Sequence, residues 1–108
     1  MSDPSNEGRR WLLVRQGPLA PEERGVLAAV RRRLSADQRH PVTVLLGSSC
    51  YDVDIPMPGT EDRGEEWLLE EEARGRGIER PVGRRWRTVT PEELVAAIMS
   101  AERVIQFP

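Results

Sequence analysis

Lysine is absent from this 108-residue chain, in which all 16 basic residues are arginine. There is therefore no lysine amine for Schiff-base chemistry and no phosphate-binding lysine of a P-loop. The single cysteine, Cys50, excludes an intrachain disulfide and a zinc site built from several cysteines. The single histidine, His40, excludes motifs that need two histidines. We accordingly predict no metal site and no cofactor.

Long apolar runs are also missing. No stretch approaches the roughly 20 apolar residues that a membrane helix needs, so we expect no membrane partner. Residues 1–10 are polar and lack the apolar segment of a secretory signal. The net charge of −2 gives no sign of nucleic-acid binding. We expect a flexible tail over residues 1–10 and a single cytoplasmic domain over residues 11–108.

The apolar residues that are present come in short blocks typical of an α/β fold. Residues 11–14 form a continuous apolar run, and residues 42–46 are apolar apart from Thr43, as is typical of strands buried on both faces. Between them, a stripe at helical spacing follows Pro21. Residues 104–107 supply a final strand. We predict one small α/β domain with a mainly parallel sheet of four to five strands and helices on both faces.

The remaining segments predict further elements of the same kind. Residues 65–76 are typical of a second helix, residues 78–82 of a weak strand, and residues 86–89 of another strand. The sequence Thr90-Pro91-Glu92-Glu93 predicts a helix start, because it combines an N-cap threonine, a first-turn proline and a glutamate that can close a capping box. Residues 47–62 lack periodicity, and we expect them to be the most mobile internal segment.

Cys50 is the first candidate for chemistry. It follows Gly47, Ser48 and Ser49 at the end of the best strand, where open α/β sheets place their binding crevices. A thiolate there, stabilised by turn amides, is a candidate nucleophile or sulfur carrier, and an inert buried thiol is the alternative. His40 precedes that strand and lies too far away to be its partner, so we predict that His40 is a surface residue.

Arg84, Arg85 and Trp86 form a second candidate site. Arginine flanking tryptophan is typical of a protein interface, and it also suits an anion or an acidic partner surface. A plain solvated face remains open as a third interpretation. The acids that follow Cys50 lack the spacing of a calcium loop, and the serines lack the context of a hydrolase elbow.

The segment from residue 65 to residue 107 resembles the DsrE/DsrF/TusD-like sulfur-relay family. The resemblance is carried by the stretch ARGRGI, the arginine-rich segment, the helix start TPEELVAAI and the closing AERVIQF. It implies a compact α/β fold with a mainly parallel sheet, assembly into trimers or hexamers, and other sulfur-relay proteins as partners. In sulfur-carrying members, a cysteine lies before the arginine-rich stretch. Residues 78–85 here contain none, so that role does not transfer to this position.

Three functions stay open at this point. The first is a non-catalytic or accessory subunit that acts through oligomer and partner surfaces in sulfur relay. The second is a sulfurtransferase that carries a persulfide on Cys50. The third is a module that binds a small ligand in the crevice at the strand ends. The missing family cysteine favours the first over the second.

Overall fold

The protein folds around one parallel β-sheet. A computed structural model describes residues 8–49, 64–77 and 86–107. Within those ranges the elements follow one another as β1 (Arg10–Arg15), α1 (Pro21–Ala36), β2 (His40–Leu45), β3 (Glu65–Leu69), α2 (Glu70–Gly75), β4 (Trp86–Val89), α3 (Pro91–Ser100) and β5 (Arg103–Phe107).

Over the described residues, the sheet has five strands in the order β4-β3-β2-β1-β5, and every neighbouring pair is parallel. Strand β1 lies between β2 and β5 and places Leu12 opposite both Val42 of β2 and Val104 of β5. The predicted parallel sheet with its strands near residues 11–14, 42–46 and 104–107 is therefore confirmed. Parallel strands are covered on both faces in such folds, which explains their continuous apolar runs.

The two longer helices cover opposite faces of the sheet because the chain reverses direction across it. The step from β1 to β2 goes towards β4, whereas the step from β4 to β5 goes back past β1. Since parallel connections keep one hand, the helices of these two steps must lie on opposite faces. The packing agrees: Leu13 contacts the cluster that contains Leu27 of α1, whereas Leu12 contacts the cluster that contains Ala97 of α3.

Two apolar cores result, one on each face. The core under α3 consists of Leu12, Val42, Val44, Trp67, Val89 and Ala97. The core under α1 consists of Leu13, Leu19, Leu27, Ala28 and Leu34. Burial of each large aliphatic side chain contributes roughly 1.5–3 kcal/mol. Packing on both faces makes the sheet rigid, so side chains at its edges are held in defined positions.

The start of α3 is fixed by the predicted capping box. The Glu93 backbone N–H donates to Thr90 Oγ1 at 3.1 Å, and the Thr90 N–H donates to Glu93 Oε1 at 3.1 Å. Pro91 occupies the first helical turn, where its missing N–H costs nothing. The prediction for this helix is confirmed at its first residue.

The prediction for residues 65–76 is wrong in its first half. Residues 65–69 form β3, and the helix contains only residues 70–75. Trp67 and Leu68 are both buried because they face opposite sides of the sheet, which an amphipathic helix would not achieve. The strand predicted at Trp86–Val89 is confirmed as β4. The weak strand predicted at residues 78–82 lies outside the described residues.

Arg31 of α1 is an exception to the usual exposure of arginine on helix surfaces. Its side chain is buried, and Nη1 donates to Thr43 Oγ1 at 2.9 Å and lies 3.8 Å from Glu66 Oε1. A buried guanidinium needs such partners, because an unpaired charge inside a protein is strongly destabilising. Arg31 therefore joins α1 to the sheet.

Candidate functional site

The turn that follows β2 lies at the carboxyl edge of the sheet and is held by its own hydrogen bonds. The Leu46 N–H donates to the Arg15 carbonyl at 2.8 Å, so the turn is attached to the end of β1. Ser49 is buried, and its hydroxyl lies 2.6 Å from the Leu46 carbonyl and 3.0 Å from the Arg15 carbonyl. Ser49 thus acts as a structural link between two strand ends, with its proton directed at backbone oxygens.

Gly47 gives this turn its shape. Its φ of +57° lies in the left-handed region, and an added Cβ would lie 2.8 Å from the Gln16 carbonyl oxygen. The Gly47 N–H donates to the Glu72 carboxylate, at 3.0 and 3.2 Å from its two oxygens. The Ser49 N–H donates to the Leu46 carbonyl at 3.2 Å. Two of the turn amides that were candidates for stabilising a thiolate are therefore already bonded inside the protein.

The sequence-predicted site residues do not all meet at this edge. Gly47, Ser48 and Ser49 lie together at the carboxyl ends of β1 and β2. Trp86 is the first residue of β4, opposite Glu66, and so belongs to the amino-terminal half of its strand. Cys50, Arg84 and Arg85 lie outside the described residues, as do residues 50–62 of the segment for which we predicted mobility.

The opposite edge, at the amino ends of the strands, carries a group of charged residues that the sequence analysis did not identify. His40 Nε2 lies 2.8 Å from Glu65 Oε2, which joins the first residues of β2 and β3. The His40 side chain is only 16% exposed, so the prediction of a plain surface histidine is wrong. Because Val42 pairs with Glu65, the two-residue periodicity of strands places His40 and Glu65 on the α3 face.

The electrostatics of this edge favour an ionised Glu65. The hydrogen bond with His40 lowers the pKa of Glu65 from its ordinary value of 4.5, and the charges of His40, Arg87 and Arg10 act in the same direction. Partial burial opposes them and raises the pKa, but the net shift is downward. The carboxylate is therefore charged over the physiological pH range.

Trp67 lies between two arginines on the same face. The guanidinium carbon of Arg10 is 5.0 Å from the indole centroid and that of Arg87 is 4.6 Å away, both within the range of cation–π contact. Arg10 is almost completely buried, whereas Arg87 is about half exposed. The only sequence signal for this group was the alternation of side chains along a strand. Arg10 lies two residues before Leu12, and Trp67 lies two residues after Glu65, so the members of each pair share a face of the sheet.

Neither edge holds a metal centre among the residues that the structure describes. No three side chains of histidine, cysteine, aspartate or glutamate converge there. Over the same residues, no helix combines the length and the apolar composition of a membrane span.

The strand order, the two-sided helix packing and the turn at the carboxyl edge define a class of protein rather than an activity. The class is the small α/β domain with a five-stranded parallel sheet of the DsrE-like fold. Among solved structures, the chain is similar to the ychN protein from E. coli, with a TM-score of 0.65 over 92% of this chain and 98% of that chain. The sequence identity is 18%, so the likeness is one of fold. No family model and no curated protein matches the sequence.

Proposed function

We propose that this protein is a DsrE-like accessory subunit in sulfur relay, and that it acts by associating with a second copy of itself. The observation that carries the proposal is apolar surface on α3 and β5. Val95, Ile98 and Met99 of α3 are exposed, and so is Val104 of β5. Met99 alone has 82% of its surface open to solvent.

These side chains belong to one side of the molecule. Val104 pairs with Leu12, and Leu12 packs against the core under α3, so strand parity places Val104 on the α3 face. β5 is an edge strand whose outer backbone groups have no strand neighbour in the described sheet. An apolar helix beside an open strand edge is a favourable surface for protein association.

A second copy is the occupant that we assign, because an identical chain offers the same apolar surface and a two-fold axis brings the two surfaces together. The rim of the surface carries both signs of charge, with Glu92 at the start of α3 and Arg103 at the start of β5. Opposite charges on the rim can therefore face each other across the axis. The role in sulfur relay is supported by the fold and by the resemblance of residues 65–107.

Light scattering after gel filtration tests the association. Wild type should show a mass at least twice the 12.2 kDa of one chain at micromolar concentration. The double variant Val95→Glu/Met99→Glu should shift towards the single-chain mass, because buried unpaired carboxylates are costly. Val26→Glu is the matched control, since Val26 is 57% exposed but lies on α1.

Three results would overturn the proposal. The first two are a single-chain mass for wild type and equal dissociation by the control variant. The third is sulfur uptake. If the Cys50 thiolate attacks the outer sulfur of a donor persulfide, Cys50 becomes a persulfide and the donor leaves as a thiolate. A mass increase of one sulfur on wild type, absent from Cys50→Ser and passed on to an acceptor, would make the protein a sulfurtransferase instead.

A further inference from the structure

A groove of about 510 Å³ opens on the α3 face near the amino ends of the strands. Its walls include Arg10, Trp67 and Arg87 from the sheet, and Ala96 and Ala97 from α3. The alanines have short side chains and leave space beside the helix, and Glu93 and Ser100 of α3 complete the lining. The volume lies within the range of small-molecule sites, which is roughly 300–1,000 Å³.

The groove contains buried hydrogen-bond donors that the described part of the protein does not satisfy. Trp67 is 1% exposed and Arg10 is 7% exposed. Trp67 Nε1 and Arg10 Nε both lack a hydrogen-bond partner among the described residues. Leaving one such donor unsatisfied costs about 1–3 kcal/mol. Unpaired donors on two residues that line the groove favour a ligand that carries acceptor oxygens.

The nearby carboxylates do not neutralise these donors, because each has another partner. Glu65 Oε2 pairs with His40 at 2.8 Å. Glu93 Oε1 accepts from the Thr90 N–H at 3.1 Å, and Glu93 Oε2 lies 3.9 Å from Arg87 Nη1, beyond hydrogen-bond distance. The guanidinium of Arg87 is half exposed and has room to reach a bound group. The groove wall thus carries two arginines, Arg10 and Arg87, and one carboxylate, Glu93.

We propose that this groove binds a small organic oxyanion, a carboxylate or a phosphate monoester with an apolar body. Arg87 and Arg10 contact the oxyanion, as guanidinium groups match the geometry of both kinds of anion. Ala96 and Ala97 contact the apolar body, and Trp67 supports the two arginines from behind. The groove is distinct from the turn at the carboxyl edge and from the exposed side of α3. The ligand proposal can therefore be tested independently of the proposed self-association.

Titration with phenyl phosphate, followed by calorimetry and by the indole N–H signals in a ¹⁵N spectrum, tests the site. Saturable binding should shift the Trp67 signal more than that of Trp11. Arg87→Gln should weaken binding roughly tenfold to a hundredfold, the range expected for a lost hydrogen bond to a charged group. Arg74→Gln is the control, because Arg74 is a well-exposed arginine on α2 that pairs with Glu70.

Parallel titrations separate the possible ligands. Stronger binding of benzoate than of phenyl phosphate would assign a carboxylate, and the reverse order would assign a phosphate monoester. Benzyl alcohol, which carries no oxyanion, should bind neither to wild type nor to Arg87→Gln. An inorganic phosphate affinity equal to that of phenyl phosphate would mean an adventitious ion only and would overturn the proposal. So would the absence of saturation at millimolar ligand, or equal weakening by Arg74→Gln.

Discussion

Replacing Gly47 with alanine should destabilise the fold for two separate reasons, both of which follow from the geometry of the turn after β2. The first is conformational: at a φ of +57°, an L-residue with a Cβ pays about 1–2 kcal/mol. The second is steric, because the new Cβ would lie 2.8 Å from the backbone oxygen of Gln16. Gln16 directly follows β1, whose last carbonyl already accepts from Leu46, so relief requires movement of a strand end. Forced overpacking of this kind typically costs another 1–3 kcal/mol.

We therefore expect Gly47→Ala to lower the free energy of unfolding by about 3 kcal/mol. For a chain of this length, that corresponds to a decrease in Tm on the order of 10 °C. The assay is thermal and urea unfolding followed by circular dichroism, with all variants at one protein concentration, since self-association would add to apparent stability.

Two other glycines serve as internal controls. Gly77 has a φ of +67°, but an added Cβ there meets no described atom within 4 Å, so Gly77→Ala should cost only about 1 kcal/mol. Gly25 lies exposed in α1 with open space around it, and Gly25→Ala should stabilise by about 0.5–1 kcal/mol. If Gly47→Ala cost no more than Gly77→Ala, the steric argument would be refuted. A neutral Gly47→Ala would refute both parts of the reasoning.

Two further predictions concern the cap of α3 and the ion pair at the amino edge. Thr90→Ala should lower the free energy of unfolding by about 1 kcal/mol, because it removes the acceptor of the Glu93 N–H. Ser100→Ala, in the last turn of α3, is the control and should change the free energy of unfolding by less than about 0.5 kcal/mol. Urea titrations measure both values. The lowered pKa of Glu65 means that its ionised form stabilises the fold above the ordinary value of 4.5, and that this stabilisation is lost as the pH falls through the folded value. Glu65→Gln should therefore show a flatter decline of stability from about pH 5 to about pH 3 than wild type does. Parallel pH profiles for the two proteins would contradict this assignment.

The parts of the fold that could be predicted were those in which local pattern and tertiary role agree. The run containing Leu12 and Leu13 is apolar on both sides because both faces of β1 are covered, and the capping box at Thr90 is a purely local arrangement. The segment around Trp67 was misassigned because its flanking glutamates favour a helix. Pairing with β2 overrides that preference, and strand propensity depends strongly on such context.

One of the candidate sites could likewise be predicted from the sequence, and the other could not. The turn at Gly47 could be located, since it follows the clearest strand and the carboxyl ends of parallel strands form an edge. The group around Trp67 could not, because Arg10 and Arg87 are brought to the indole by strand order and register, which are not local properties. A buried arginine such as Arg10 also carries no mark in the sequence that separates it from an exposed one.

The position of β5 has a consequence for how the chain becomes a folded protein during synthesis. β1 is made before the other four strands of the described sheet, yet one of its two strand neighbours is β5, the last of them. The Glu102 N–H donates to the Arg10 carbonyl at 2.8 Å, and the Trp11 indole N–H donates to Glu102 Oε1 at 2.6 Å. Until residues 102–107 have been made, β1 keeps an open edge beside strongly apolar side chains. Such non-local pairing slows folding, and an unpaired strand edge favours aggregation of a nascent chain.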